Sequence, residues 1–187
     1  MELKKSVVLF LFAITTSVAH AQERTAIQGF ATFTPGFFLN HSENSYSLHG
    51  ELEVQLNEKV SVIGDGFYTL QNSHATTSTF EYNHNVMAGM TYHLWKSEGE
   101  NNLDTYVGIE PGIAISKLNK ITTSNYPKTS INPVISLLVG AQFQLTKHLY
   151  LFGQVRYLGG NHVETEFHRL DEIRISTGLG FTFWSKN

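Results

Sequence analysis

The strongest constraint on the fold is an alternation of apolar and polar side chains with a period of two residues. In the clearest stretch, residues 46–56, one face carries Tyr46, Leu48, Gly50, Leu52, Val54 and Leu56. The other face carries Ser47, His49, Glu51, Glu53 and Gln55. Residues 103–115 and 173–183 follow the same pattern. A period of two is typical of a β-strand with different surroundings on its two faces, and it disfavours a helix.

The chain contains eight such segments, and several are longer than the about 5–6 residues of an ordinary globular strand. They lie near residues 25–34, 45–56, 60–71, 79–94, 103–116, 132–145, 149–158 and 170–184. Short turns at 57–59, 95–102 and 146–148 alternate with longer loops at 35–44, 72–78, 117–131 and 159–169. This alternation is typical of an up-and-down barrel with both termini at the short-turn end. We therefore predict an all-β fold, an eight-stranded antiparallel up-and-down transmembrane β-barrel.

The N-terminal segment has the pattern of a secretory signal peptide. Lys4 and Lys5 precede an apolar run over residues 7–14, and Ala19 and Ala21 are small residues at the positions that signal peptidase recognises. We predict a cleaved signal peptide over residues 1–21 and a single barrel domain over residues 22–187.

Composition excludes several classes of function. The 187 residues include no cysteine, which rules out disulfides, thiolate metal sites, a cysteine nucleophile and a lipoprotein anchor. The formal net charge is −3, and the isoelectric point lies near 6.3. Because phosphate contacts need a basic surface, we expect no nucleic-acid partner.

Periodicity alone does not say which face of the sheet points outward. A soluble lipocalin-like barrel keeps its apolar face inside around a ligand, whereas a membrane barrel turns that face towards lipid. Strands of ten or more residues match the about 9–11 residues needed to cross a bilayer. Aromatic residues also gather near the strand ends, as in the girdles of membrane barrels. The predicted girdle consists of Tyr46, Tyr68, Phe80, Tyr82, Tyr92, Tyr157, Phe181 and Phe183.

The polar face carries the few charged residues of the strands. We predict that they form a charge network inside the barrel: Glu51, Glu53, Asp65, Glu110, Arg156 and Arg174. Because breaking a buried ion pair costs about 3–5 kcal/mol, we expect Arg156 and Arg174 each to bridge at least one of the four carboxylates. Side chains should fill so narrow an interior and leave no broad pore. The alternative is a gate that opens when the pairs exchange.

The signal peptide, the eight amphipathic strands and the last strand resemble a known family. The final strand runs Gly178-Leu179-Gly180-Phe181-Thr182-Phe183-Trp184. This architecture is similar to small bacterial outer-membrane β-barrels, including the transmembrane domain of outer membrane protein A and the outer membrane protein β-barrel domain group. The family pattern ends on its aromatic residue, whereas three residues follow Trp184 here.

The resemblance implies a location and partners. It implies Sec-type export, residence in the outer membrane of a Gram-negative bacterium, and contact with outer-membrane lipid and lipopolysaccharide. It also implies insertion by the barrel-assembly machinery, which would read Phe181, Phe183 and Trp184 as a C-terminal signal. We expect a monomer.

Signals for catalysis or metal binding are weak. Residues 41–43 read His-Ser-Glu, but adjacent positions in a loop do not form a hydrolytic triad. The best metal candidate is His162 and His168 with Glu164 and Glu166 between them, yet no histidines have a compact ligand spacing. We therefore expect no catalytic residue, no metal and no cofactor.

His84 and Pro111 are two further positions with candidate special roles. His84 is the only histidine on the lipid-facing phase, where lipid-modifying enzymes of this barrel size place a serine and a histidine. No serine neighbours it in sequence, so we interpret it as an interfacial residue. Pro111 on the apolar phase of the fifth strand cannot donate to the ladder, which predicts a bulge or an unpaired acceptor.

These observations favour a non-enzymatic integral outer-membrane barrel with a structural role or a surface-interaction role. The interaction would be carried by the loops at 35–44, 117–131 and 159–169. The alternative is a porin-like narrow channel, or a binding barrel for a small or hydrophobic solute. A lipid-modifying enzyme is the third hypothesis.

Overall fold

The computed structural model describes residues 26–70, 79–96, 102–119, 129–163 and 168–184. The proposed signal peptide over residues 1–21 lies outside the described residues. The strands are β1 (Ala26–Phe38), β2 (Glu43–Gln55), β3 (Val60–Thr69), β4 (Phe80–Lys96), β5 (Leu103–Leu118), β6 (Thr129–Gln144), β7 (Leu149–Gly160) and β8 (Glu172–Trp184). The described segments hold no helix with the length and apolarity needed to cross a membrane.

The eight strands form one closed antiparallel barrel in chain order, which confirms the predicted fold class. The last strand closes onto the first, with Ala26 opposite Trp184 and Phe30 opposite Gly180. Closure pairs both outer strands and so removes the exposed edges that a sheet of long strands would otherwise present.

Side-chain oxygens shape two of the short turns. Between β2 and β3, the Asn57 side-chain oxygen accepts hydrogen bonds from the backbone N–H groups of Lys59 and Val60, both at 2.9 Å. Between β6 and β7, Thr146 Oγ1 accepts from the N–H groups of His148 and Leu149. Asn and Thr favour such turns because their short side chains reach backbone donors two or three residues along the chain. Each turn sets the register of the hairpin that it closes.

The two faces of the wall have inverted polarity relative to a soluble protein. Large apolar side chains project outward, and Leu52 and Ile131 are each 65% exposed. Polar and charged side chains project inward, where Glu110 is 0% and Arg156 1% exposed. The arrangement rules out the lipocalin-like alternative, in which the apolar face would line the interior.

Apolar side chains close the interior on both sides of the charged residues. A larger cluster lies towards the long-loop end and contains Phe38, Phe67, Phe80, Met87, Ala114, Leu118, Val134, Leu158 and Leu170. Two smaller clusters lie towards the short-turn end and contain Phe30, Tyr150 and Phe152, and Ile63, Tyr106 and Leu138. Phe30 and Phe152 stack across the interior with ring centroids 3.8 Å apart.

Most residues of the predicted girdle do project outward near strand ends, but Phe80 does not. Tyr46, Tyr68, Tyr92, Phe181 and Phe183 are exposed, and Tyr82 and Tyr157 are half-exposed. Phe80 is buried in the apolar cluster at the long-loop end. The ladder between β4 and β5 shifts register between Phe80 and Tyr82, and this irregularity turns Phe80 inward. A strict period of two therefore assigned Phe80 to the wrong face.

The predicted loop over residues 35–44 is instead mostly strand. β1 continues to Phe38 and β2 begins at Glu43, so only the turn over residues 39–42 remains, with Ser42 at a φ of 51°. Pro35 and Gly36 read as a turn in the sequence. The ladder from β1 to β8 is interrupted between the Phe30–Gly180 and Gly36–Arg174 pairs, and this gap accommodates the missing N–H of Pro35. The turn over residues 39–42 therefore offers less surface for contact with other molecules than the predicted loop over residues 35–44.

The ladder is also interrupted opposite Pro111. Regular pairs between β4 and β5 stop at Met87–Gly112 and resume at Met90–Ile109 without a change of register, so the interruption is not a bulge. Gly89 lies in this gap, where a Cβ atom would collide with the carbonyl oxygen of Ile109. The close approach of the two strands at this point requires glycine.

Candidate functional site

Arg156 is the centre of a buried charged cluster in the middle of the barrel. Its Nη2 lies 2.5 Å from Asp65 Oδ2 and 3.5 Å from Glu51 Oε2. Its Nη1 donates to Glu110 Oε2 at 2.6 Å and to Ser136 Oγ at 3.0 Å. The cluster thus joins β2, β3, β5, β6 and β7 across the interior.

Strand register explains why two carboxylates meet there. Glu51 on β2 and Asp65 on β3 are direct cross-strand partners, and both side chains take the inward phase. Like charges in such a pair repel unless a cation lies between them, and Arg156 supplies it. Gln154 Nε2 donates to Glu51 at 3.1 Å and adds a neutral donor.

Arg174 has a different partner from the one that the sequence predicts. Its Nη2 donates to Glu172 Oε2 at 2.6 Å and to Asn85 Oδ1 at 2.5 Å. The guanidinium carbon lies 4.3 Å from the centroid of the Phe67 ring. The prediction that both arginines bridge one of the four named carboxylates therefore holds for Arg156 and is wrong for Arg174. Glu172, two residues away on the inner face of β8, is the nearer acceptor.

Glu53 belongs to a second cluster nearer the short-turn end. His93 lies between two carboxylates: its Nε2 is 3.1 Å from Glu53 Oε1, and its Nδ1 is 2.8 Å from Asp104 Oδ2. Thr91 donates to Glu53 at 2.9 Å, and Gln142 donates to Asp104 at 3.0 Å. His93 and Asp104 are not part of the predicted charge network, although both lie on the inward phase of their strands.

Ser61, His93 and Asp104 have the residue types and distances of a hydrolytic triad. Ser61 Oγ lies 2.9 Å from His93 Nε2. However, both ring nitrogens face carboxylates and are needed as N–H donors, so Nε2 has no lone pair to accept the proton of the serine. Ser61 is fully buried, and Glu53 would repel an oxyanion formed beside it. The geometry favours a structural charged cluster over a nucleophile.

The candidate His-Ser-Glu segment forms no triad. Glu43 accepts hydrogen bonds from the backbone N–H and the hydroxyl of Thr79, the latter at 2.6 Å. His41 Nε2 donates to the backbone carbonyl of Arg169 at 3.2 Å. These bonds tie the turn over residues 39–42 and the first residue of β2 to neighbouring segments at the long-loop end.

His84 lies on the outer surface between two tyrosines. Its ring stacks on Tyr68 and Tyr82, with centroids 4.5 and 4.8 Å away. Nδ1 accepts a hydrogen bond from the backbone N–H of Thr69 at 3.1 Å. Both faces of the ring and one nitrogen are therefore occupied by structural contacts.

The predicted metal candidate at the long-loop end is only partly described. His162 is buried, and His168 stacks on His41 with centroids 5.8 Å apart. Partial burial, and then the nearby His41, lower the pKa of His168. Glu164 and Glu166 lie outside the described residues. Within the part of the chain that the structure describes, a group of metal-ligating atoms occurs instead at His49, Glu51 and Asp65.

Comparisons with known proteins identify the fold. No family model matches the sequence, and no curated protein matches it. The structure resembles that of Neisserial surface protein A, with a TM-score of 0.59, 12% identity, and coverage of 84% of this chain and 95% of that chain. It also resembles Ail, the attachment invasion locus protein of Yersinia pestis, in complex with the heparin analogue sucrose octasulfate. The TM-score is 0.54 and the identity 14%, covering 87% of this chain and 100% of that chain.

A second structure of Ail matches with a TM-score of 0.53 and 11% identity over 86% of this chain and 98% of that chain. At these identities the likeness concerns the fold. The chain therefore has the fold of a small bacterial outer-membrane β-barrel, as the resemblance implied.

Proposed function

We propose that the protein is an integral outer-membrane β-barrel without enzymatic activity, which contacts other molecules through its long-loop end. The observation that carries this proposal is the inverted polarity of the wall. Its outer face exposes aliphatic side chains in the middle of the strands, including Val86, Ile109 and Leu137, each at least half exposed. Such a surface is unstable in water and stable in lipid.

The side chains that fill the interior favour a blocked barrel over a conducting channel. The Arg156 cluster lies between an apolar cluster at the long-loop end and the stacked Phe30 and Phe152 towards the short-turn end. Small barrels of eight strands have an interior just wide enough for such side chains. A narrow channel would need these contacts to open, which makes conductance the direct test of this alternative.

The charge of the connection between β5 and β6 supports a surface-interaction role. Residues 117–131 include Lys117, Lys120 and Lys128 and no acidic residue. Lys117 is paired with Glu81 at 2.8 Å. A basic loop suits an anionic polysaccharide, and the structural neighbour Ail was solved with the heparin analogue sucrose octasulfate. We infer an anionic carbohydrate as the partner class.

Membrane residence is tested by extraction and by one substitution. The protein should stay with the outer membrane until detergent is added, and it should migrate differently on a gel before and after heating. Leu137→Arg, in the middle of β6, should reduce the free energy of unfolding in lipid vesicles by about 2–4 kcal/mol. Leu137→Ala is the control for lost side-chain volume. Solubility without detergent would contradict the proposal.

Conductance and carbohydrate binding test the role. Planar bilayers containing the protein should show no large, steady conductance, and such a conductance would favour the channel alternative. Sucrose octasulfate should bind in a salt-dependent manner, and Lys120→Ser with Lys128→Ser should weaken it. Lys147→Ser, in the turn at the opposite end, is the matched control. Equal binding by the loop variant and the control would contradict the proposed partner.

A further inference from the structure

The barrel wall is interrupted where β3 ends at the long-loop side. Regular pairs between β3 and β4 stop at Phe67–Asn85. Two residues further on, the N–H of Thr69 donates to the ring Nδ1 of His84 at 3.1 Å instead of to a backbone carbonyl. Beyond Leu70, β2 and β4 both continue towards the loops, and no described strand lies between them. Among the described residues, the inner and outer faces of the wall therefore meet at this break.

A cavity of about 230 Å³ lies at the break. It is lined by three outward aromatic side chains and by three inward side chains, which are Phe33, Tyr46 and Tyr82 outside, and Phe38, Phe80 and Asn83 inside. Towards the loops, Glu43 on β2 accepts hydrogen bonds from the backbone N–H and the hydroxyl of Thr79, and these bonds join β2 to β4 again. Five of these six lining side chains are aromatic, so the cavity suits a flat aromatic ring.

Asn83 provides a hydrogen-bond donor without a partner at this cavity. Its side chain is only 1% exposed, and Nδ2 makes no hydrogen bond to any described residue. The orientation of the amide follows from Arg174, because a guanidinium can only donate. Arg174 Nη2 donates to Asn85 Oδ1 at 2.5 Å, so Asn85 Nδ2 donates in turn to Asn83 Oδ1 at 3.4 Å. Asn83 Nδ2 is left over, and a buried donor is stable when an acceptor reaches it.

The charges around the cavity favour an uncharged ligand. Glu81, which also lines the cavity, is paired with Lys117 at 2.8 Å. Glu172 accepts a hydrogen bond from the lining residue Ser45 and is paired with Arg174 at 2.6 Å. Both carboxylates are neutralised by their own cations, so neither needs a cationic ligand, and both would repel an anionic one.

We propose that this cavity binds an uncharged aromatic molecule with one acceptor oxygen, of the class of aromatic ketones and esters. The ring lies among the aromatic side chains, and the oxygen accepts a hydrogen bond from Asn83 Nδ2. The outward side chains Tyr46 and Tyr82 let such a molecule enter from the lipid side of the wall. The site is independent of the carbohydrate role proposed for the loops, and only this route of entry rests on residence in the membrane.

The first experiment is photolabelling with benzophenone, which has two rings and one ketone oxygen. The protein is reconstituted into lipid vesicles and irradiated, and mass spectrometry of its peptides locates the covalent label. We expect the peptides that contain Tyr46 and Tyr82 to carry more label than the peptides of the remaining outer wall. Label spread evenly over the outer wall would show partitioning into lipid only and would overturn the proposal.

The second experiment tests the hydrogen bond by competition. Acetophenone and α-methylstyrene have the same shape, but the latter has a methylene group in place of the ketone oxygen. At equal concentrations in the lipid, acetophenone should displace benzophenone about tenfold better, because α-methylstyrene leaves Asn83 Nδ2 unpaired. Asn83→Leu keeps a side chain of similar size and removes the donor, so the two competitors should become equal. Equal competition in the wild type, or a preference that survives in the variant, would refute the role of Asn83.

A pair of tyrosine variants tests the location. Tyr82→Ala removes part of the outer lining and should reduce labelling of the cavity about fivefold. Tyr157→Ala is the matched control, because Tyr157 is also half-exposed on the outer face near the long-loop end but lies on β7. Heat-modifiable migration establishes that each variant is folded. If Asn83→Leu does not fold, competition in the wild type and the tyrosine pair decide the question, and equal labelling of the two tyrosine variants would count against the site.

Discussion

Arg156 and Arg174 occupy equivalent positions on neighbouring strands but have different surroundings. They are direct cross-strand partners on β7 and β8, both are buried, and both lie near the Phe67 ring. Arg156 contacts three carboxylates, whereas Arg174 contacts one carboxylate and an amide. One arginine therefore neutralises an excess of negative charge, and the other is matched one to one.

The difference shows that the stability of a buried charge depends on which acceptors the closed barrel places beside it. Two like charges directly opposite each other are unfavourable in a sheet, so their side chains are stable only where each finds its own acceptor. Arg156 finds acceptors on β2, β3 and β5, and Arg174 finds Glu172 on its own strand. Substitution at the two positions should consequently have unequal effects.

The largest effect is expected for Arg156→Met. It leaves Glu51, Asp65 and Glu110 buried without their cation, so we expect the free energy of unfolding to fall by about 3–5 kcal/mol. Urea titration in lipid vesicles measures it. The control is Arg169→Met, because Arg169 is an exposed arginine paired with Asp171, and it should change stability by less than about 1 kcal/mol. Equal losses in the two variants would contradict a role for the central cluster.

Arg174→Met should cost less, about 2 kcal/mol, because only Glu172 loses its cation and Ser45 still donates to it. The same urea titration applies. Adding Glu172→Gln to the variant should recover part of the loss, since it removes the unpaired charge. A loss as large as that of Arg156→Met would break the distinction between the two arginines.

The double variant tests whether the two arginines interact. Combining Arg156→Met with Arg174→Met should cost more than the sum of the single losses, by about 1 kcal/mol, because each single variant already gains the relief of the repulsion between the two guanidiniums and the double variant gains it only once. A double-mutant cycle on unfolding free energies gives the coupling. Strict additivity would show that the two arginines have no measurable interaction energy, although they are cross-strand partners and both lie near the Phe67 ring.

The smallest effect is expected for Glu110→Gln. It removes one of three carboxylates that share a single guanidinium, while its amide oxygen still accepts from Arg156, so stability should stay equal or rise by up to about 1 kcal/mol. Glu172→Gln, which removes the one carboxylate at Arg174, should instead destabilise. A clear loss in the Glu110 variant would show that Arg156 needs all three carboxylates.

Much of the barrel wall could be predicted from the sequence, but individual contacts could not. The period of two places Glu51, Asp65, Glu110 and Arg156 on the inward phase, where the structure has them. It fails at Phe80, because a register shift changes the phase of one residue without any sequence signal. It also fails over residues 35–44, where proline and glycine lie within a strand.

The inward cluster of His49, Glu51 and Asp65 illustrates a further limit. His49 and Glu51 are two residues apart on one strand, which the sequence shows, but Asp65 joins them only through the register between β2 and β3. Clusters on one helix or in a single loop are visible as short sequence spacings, whereas clusters formed across strands are not. The His93 and Asp104 contact was missed for the same reason.

The sequence by itself determined the strand number, the strand order and the polarity of each face, because these follow from local alternation and from the lengths of the turns. Tertiary structure alone decided which inward charges meet. Closure of the barrel brings residues as far apart in the chain as Glu51 and Arg156 to within 3.5 Å. That distance depends on the register of every ladder between them, and a pattern with a period of two excludes a slip of one residue but not a slip of two.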